Sequence, residues 1–202
     1  MIIPVETPFK VLSLVASLLE QQRINYVLVG SFASSMHGMY RSTADIDIVA
    51  DVHSNQVIPL LAALHENFYV DEHAVREAID RRQSFNAIHF DSVFKVDIFI
   101  PKGDEFSRKQ IERRELKKLA PDVEQTVYVA TAEDTVLAKL RWYDSGGRVS
   151  TTQWNDVLGI IGGSSSKLDL TYLHDWARKL HVTELLDQAF KEAGDEDSST
   201  SK

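Results

Sequence analysis

Cysteine is absent from the 202 residues, which removes disulfide frameworks, thiolate zinc sites and thiol nucleophiles together. This fits a reducing compartment, and cytoplasm is the expected location. Long apolar runs are missing too. The stretch Val11 to Leu19 is too short to span a bilayer, carries two serines and has no small-residue cleavage site, so no membrane association is expected. Its Val11, Leu12, Val15, Leu18 and Leu19 repeat at helical spacing behind Thr7 and Pro8, which predicts an amphipathic first helix capped by Thr7. Positive charge is in deficit: the net charge is -8, so the chain as a whole is repelled by nucleic acid, and any RNA contact requires a local basic patch. Gly162-Gly163-Ser164-Ser165-Ser166 lacks the Gly-Lys-Ser/Thr of a phosphate-cradling loop and reads as a helix end and loop. The seven histidines are scattered, with no helical ligand spacing that suggests zinc.

What remains is a globular composition, 44% hydrophobic and 26% charged, enough for one sizeable core or two small ones. Tyr26-Val27-Leu28-Val29 is a continuous apolar run ended by glycine, the pattern of a buried strand, with a short helix expected from Ser31 to about Gly38. Asp45 to Asp51 alternates acidic and apolar residues at the period of a strand. A helix near Val57 to Glu66, a short strand at Phe68-Tyr69-Val70 and an exposed helix over Glu72 to Arg82 follow. Phe85 to Phe90 and Val93 to Ile100 are separated by Asp91-Ser92 and predict an antiparallel hairpin. Arg108, Lys109, Arg113, Arg114, Lys117 and Lys118 crowd into one predicted helix with Glu112 and Glu115. This is the only candidate basic patch, and its plainer reading is a solvated face with internal ion pairs. A last strand at Thr126 to Ala130 precedes helix starts at Thr131, Ser150 and Asp169. The tryptophans at 142, 154 and 176 fall on these helices, where packing is their expected role.

The fold class expected is therefore α/β (α+β), a mixed central sheet with flanking helices and a helical C-terminal part. The expected divisions are 1–130 for a catalytic core, 131–193 for a helical subdomain and 194–202 for a polar, disordered tail.

Chemistry concentrates at a few positions. Asp45 and Asp47 lie two apart on a predicted strand, so both carboxylates leave the same face while Ile46 and Ile48 point into the core. Magnesium takes oxygen ligands and is held by one or two carboxylates plus substrate phosphates, which such a pair supplies. An isolated acidic pair is more often solvent-facing decoration. Two features add weight: Gly30-Ser31 at a strand-to-helix turn offers backbone N–H groups and a hydroxyl to a phosphate, and Asp97 sits mid-strand among apolar residues, where a carboxylate needs compensation. The plainer alternatives are a helix cap at Ser31 and an ion pair between Asp97 and a lysine such as Lys95.

Val29-Gly30-Ser31, thirteen residues, then Asp45-Ile46-Asp47-Ile48, with Asp97 on a later strand, resembles the signature of the nucleotidyltransferase superfamily. Met39 to Ala44, Phe94 to Asp97 and Glu133 to Leu140 extend the likeness to bacterial minimal nucleotidyltransferases and to the AbiE-type toxin branch, over Gly30 to about Leu180. The resemblance implies two Mg2+ ions and transfer of a nucleoside monophosphate from a nucleoside triphosphate to a macromolecular acceptor, a transfer RNA end or a protein. It also implies a toxin role with an antitoxin protein as partner. In its terms Asp45, Asp47 and Asp97 are the catalytic metal ligands and Gly30 and Ser31 grip phosphate. Lys139 and Asp156 match, more loosely, positions that serve the nucleotide site in AbiE-type relatives, the plainer reading of a helix lysine being a solvent-facing one. Arg41 and Thr43, just before the acidic strand, are candidate contacts to nucleotide or acceptor, the plainer reading being a loop arginine unconnected with function. The alternative is a catalytically silent nucleotide-binding regulatory module or an interaction protein.

Overall fold

The computed structural model describes residues 6–38, 43, 45–119, 124–164 and 167–200. They group into two compact units, Met1–Val29 with Thr43–Ala130, and Gly30–Ser42 with Thr131–Lys202.

The first unit is built on a mixed sheet, seven strands among the described residues. These are β1 (Tyr26–Val29), β2 (Asp45–Ala50), β3 (Phe68–Tyr69), β4 (Ser84–His89), β5 (Lys95–Phe99), β6 (Glu115–Lys118) and β7 (Thr126–Val129), in the spatial order β3-β4-β5-β2-β1-β7-β6. β2 pairs antiparallel with β1 and parallel with β5, and β4 and β5 form the predicted hairpin. The apolar half of the β2 alternation is fully inside: Ile46, Ile48 and Ala50 are each 0% exposed, as are Val96 and Ile98 of β5. Helix α1 (Glu6–Gln21) lies against β2 and β7 and buries Val11, Leu12, Val15 and Leu19, the residues that set its helical period.

The basic segment departs from its expected single helix. A helix covers Glu105–Arg113, after which Glu115–Lys118 becomes the edge strand β6, paired antiparallel with β7. The break falls at Arg114, whose guanidinium stacks over the Tyr128 ring at 4.5 Å and reaches Asn25 Oδ1 at 3.2 Å. Lysines and a glutamate on an edge strand discourage further strand pairing, so charge placement that mimics a solvated helix serves an edge equally well. The plainer reading of the cluster is the one observed: Arg108 and Lys109 pair with Glu112, Lys117 with Glu115, and Lys118 with Glu124.

The second unit is helical. α2 (Gly30–His37) groups with α6 (Ala132–Ser145), α7 (Thr151–Ser164), α8 (Leu170–Lys179) and α9 (Thr183–Thr200), the intervening α3 (Val57–Leu64), α4 (Glu72–Arg81) and α5 (Glu105–Arg113) belonging to the sheet unit. The predicted starts are real caps: Thr131 accepts from the Asp134 N–H, Ser150 from that of Gln153, and Asp169 from that of Tyr172. α7 runs through Gly162-Gly163, where the sequence predicts an end. The turn after α2 lies so close that a Cβ on Gly38 would sit 2.9 Å from the Gly159 carbonyl carbon, and one on Gly163 would meet the His37 carbonyl at 3.5 Å. α9 spans Thr183–Thr200. Trp176 is buried and Trp154 donates to Glu192 Oε2 at 2.7 Å, whereas Trp142 is 64% exposed and packs less than its apolar ring predicts. Among the described residues no helix is long and apolar enough to cross a membrane.

Candidate active site

The acidic face is made by two neighbouring strands that are distant in sequence. Parallel register sets Asp45 opposite Lys95 and Asp47 opposite Asp97, so all four side chains leave the sheet on one face while Ile46, Ile48, Val96 and Ile98 leave on the other. Two residues flank them on that side of the ladder: Val29 at the end of β1 opposite Asp47, and Asn86 of β4 opposite Asp97. The three predicted carboxylates are therefore brought together by backbone geometry, each half-buried between strands rather than loose on a loop.

Lys95 sits among them. Its Nζ is 2.6 Å from Asp97 Oδ2 and 3.9 Å from Asp45 Oδ2, with the Lys95 side chain 43% exposed and that of Asp97 19%. The hydrogen bond to Asp97 raises the Lys95 pKa above its ordinary value. Burial works against it, and the charges of Asp97, Asp45 and Asp47 add to the rise. The Thr43 hydroxyl reaches the Asp45 carbonyl at 3.2 Å and its Oδ1 at 3.4 Å, so Thr43 braces the first carboxylate. Arg41 lies outside the described residues. Three carboxylates against one ammonium leave the face net negative, a donor set of hard oxygens suited to a hard divalent cation. As the side chains stand, no group of three acidic, histidine or cysteine residues among the described residues is gathered closely enough to hold an ion. The chemistry fits and the register fits; the carboxylate of Asp97 is turned to Lys95.

At Gly30 the chain turns from β1 directly into α2 with φ of 65°, a left-handed conformation that glycine adopts without strain. The first N–H groups of a helix lack intrahelical partners and form a ready anion site. Behind them, Ser34 Oγ donates to the Gly30 carbonyl and Ser35 Oγ to that of Ser31, i−4 back-bonds of the kind that bend a helix.

Lys139 and Asp156 are brought together as well, with each other. Lys139 Nζ bonds Asp156 Oδ2 at 2.8 Å and Gln153 Oε1 at 2.9 Å, tying α6 to α7, and the two side chains are only 5% and 9% exposed. Nearby in the same unit, the fully buried Asp134 accepts from the Tyr172 hydroxyl at 2.6 Å, and Glu133 accepts from the Asp169 N–H. Sequence reading misses Asn86, because an exposed asparagine on a hairpin carries no signal until the strand register is known. It weighs Lys95 only as an ion-pair partner, although the two-residue spacing to Asp97 already puts both on one face.

Comparison with known proteins bears on the fold and the family. A solution structure of the antibiotic-resistance factor ANT(2'')-Ia superposes with a TM-score of 0.55 at 12% identity, covering 96% of this chain and 98% of that one. A crystal structure of ANT(2'')-Ia in complex with adenylyl-2''-tobramycin gives 0.55 at 12% identity over 87% and 97%. An antigenic nucleotidyltransferase-like protein from Paracoccidioides brasiliensis gives 0.52 at 16% identity over 90% and 91%. No curated protein matches. The model of a family described as nucleotidyltransferase of unknown function, DUF6036, matches residues 9–148. A mixed sheet with paired carboxylates at its centre, the shared fold and the family match lead to one assignment: the chain belongs to this nucleotidyltransferase family and is a transferase.

Proposed function

We propose that the protein transfers a nucleoside monophosphate from a nucleoside triphosphate to an acceptor hydroxyl in a Mg2+-dependent reaction. The observation that carries this reading is the Asp47–Asp97 register pair on parallel strands with Asp45 beside it. Asp45 and Asp47 would hold two ions and Asp97 the one nearest the acceptor. When bound, these ions supply neutralisation of the triphosphate charge and an acidified acceptor hydroxyl. The chain's own part is orientation. The strand ladder fixes the carboxylates, Thr43 braces Asp45, and Asn86 stands beside Asp97 as a neutral hydrogen-bonding group. Gly30 and Ser31, with Arg41, are proposed as phosphate contacts on the strength of the motif and of the positive φ at Gly30. The proposed part of Lys139 and Asp156 in nucleotide binding is indirect, through the rigidity of the α6–α7 pair.

The acceptor proposed is a macromolecule. Acidic partners on Arg108, Lys109, Lys117 and Lys118 favour a protein over an extended RNA. The toxin reading, with an antitoxin protein as partner, is part of the same proposal. A small polyhydroxylated acceptor is the second reading, favoured by the fold shared with the tobramycin-adduct structure.

The test is label transfer from each of four α-labelled nucleoside triphosphates with Mg2+, offered total protein, transfer RNA and an aminoglycoside in separate arms. Labelled protein is the expected result. Triphosphate binding without transfer in any arm would instead establish the silent regulatory module.

A further inference from the structure

Lys95 reaches two of the three carboxylates, its ammonium lying 2.6 Å from Asp97 Oδ2 and 3.9 Å from Asp45 Oδ2. A divalent ion sits about 2.1 Å from each carboxylate oxygen it binds. An ion drawing on Asp97 Oδ2 and Asp45 Oδ2 would therefore compete with the Lys95 ammonium. Both cations seek the same carboxylates. The lysine also has a way out: its flexible four-carbon stem is 43% exposed, so the ammonium can be released to water without moving the strand.

We infer that Lys95 is a tethered placeholder cation, holding Asp97 and Asp45 in register and leaving the site when a divalent ion enters. The inference rests on the metal-site reading above and assigns Lys95 a positioning role rather than a catalytic one. It accounts for two observations together. Three like charges tolerate one another on a single sheet face, and the same three carboxylates are not gathered as an ion would require, because Asp97 is turned to the lysine. A residue that neutralises the site also opposes loading, so Lys95 sets the metal concentration at which the site fills.

The test uses the full chain without nucleotide, with Mn2+ as probe, followed by calorimetry and by the electron paramagnetic resonance signal of free Mn2+. Lys95→Met should bind Mn2+ about tenfold tighter than wild type, a change of the size expected when one competing charge is removed from a solvent-screened site. Lys95→Arg keeps a competing cation and should stay near wild type. In EDTA, Lys95→Met should melt below wild type, and Mn2+ should raise its Tm by more. Should the methionine variant fold poorly, Lys95→Gln carries the same expectation. Equal or weaker Mn2+ binding by the uncharged variants would overturn the role of Lys95 alone, provided Asp45→Asn abolishes wild-type binding. Binding that survives Asp45→Asn would overturn the carboxylate site and the placeholder together.

Discussion

Two lysine–aspartate pairs of almost equal length mark the two units, Lys95–Asp97 at 2.6 Å on the sheet and Lys139–Asp156 at 2.8 Å between helices. Their surroundings differ sharply. The first lysine side chain is 43% exposed and the second 5%. Burial of an ion pair withdraws both charges from water, so the helical pair is committed: neither partner can be exchanged without leaving the other stranded. Water still reaches the sheet pair, whose net worth is small and whose ammonium can be replaced by another cation. Distance alone therefore says little about what a salt bridge does. Solvent access decides whether it is a strut or a removable plug.

Mutations can break this contrast. The largest effect is expected at the sheet pair and in turnover: Asp97→Asn should lower nucleotide transfer roughly a hundredfold or more while leaving most nucleotide affinity, since Asp45 and Asp47 remain. Product assays beside calorimetry check it. Transfer near the wild-type rate would return Asp97 to a plain ion-pair partner.

At the helical pair the loss should be in stability. Lys139→Met should destabilise the protein by about 3–5 kcal/mol in urea unfolding, and combining it with Asp156→Leu should recover most of that, because an apolar pair replaces a stranded charge. If the single variant lost less than the double, the pair would not be the strut described. By the same logic Lys95→Met should cost no more than about 1 kcal/mol in moderate salt, measured the same way.

The smallest effect sharpens the burial argument with a neutral group. Tyr26 is 1% exposed, donates to Glu20 Oε1 at 2.9 Å and accepts from the Tyr128 N–H at 3.4 Å. Burial raises its pKa above the ordinary 10.0, the bond from Tyr128 opposing and Glu20 adding. The folded state prefers the neutral hydroxyl, so this contribution is fully present below pH 10.0 and is lost as pH rises from there toward the raised value. Tyr26→Phe should cost about 1 kcal/mol at neutral pH and flatten the fall in stability above pH 10.0, read by denaturation at stepped pH.

What could be read in advance divides along similar lines. Local pattern located β1, β2, β4 and β5, through period-2 alternation or, for β1, a short apolar run ended by glycine. The acidic triad was legible for the same reason: Asp45 and Asp47 two apart, and Asp97 isolated among apolar neighbours. Pairing was not. Nothing local states that β2 lies parallel to β5 with Asp47 beside Asp97, or that Lys139 reaches Asp156 on the next helix. The misread segments have physical causes of their own. Glu115–Lys118 carries so few apolar residues that helix and edge strand look alike, and Gly162-Gly163 stays helical although glycine pairs commonly end helices; a Cβ on Gly163 would lie 3.5 Å from the His37 carbonyl.

The parallel pairing of β2 with β5 has a consequence for how the protein comes into being. Residues 51–94, carrying α3, β3, α4 and β4, separate the two strands, so the chain must close a long loop before Asp47 meets Asp97. Contacts of such sequence separation form slowly and late. No short fragment can own this acidic face, and a nascent chain acquires it only after β5 has emerged and docked beside β2. On the metal-site proposal, divalent-ion binding would then act as a clock: its appearance during refolding would date the closing of the central sheet.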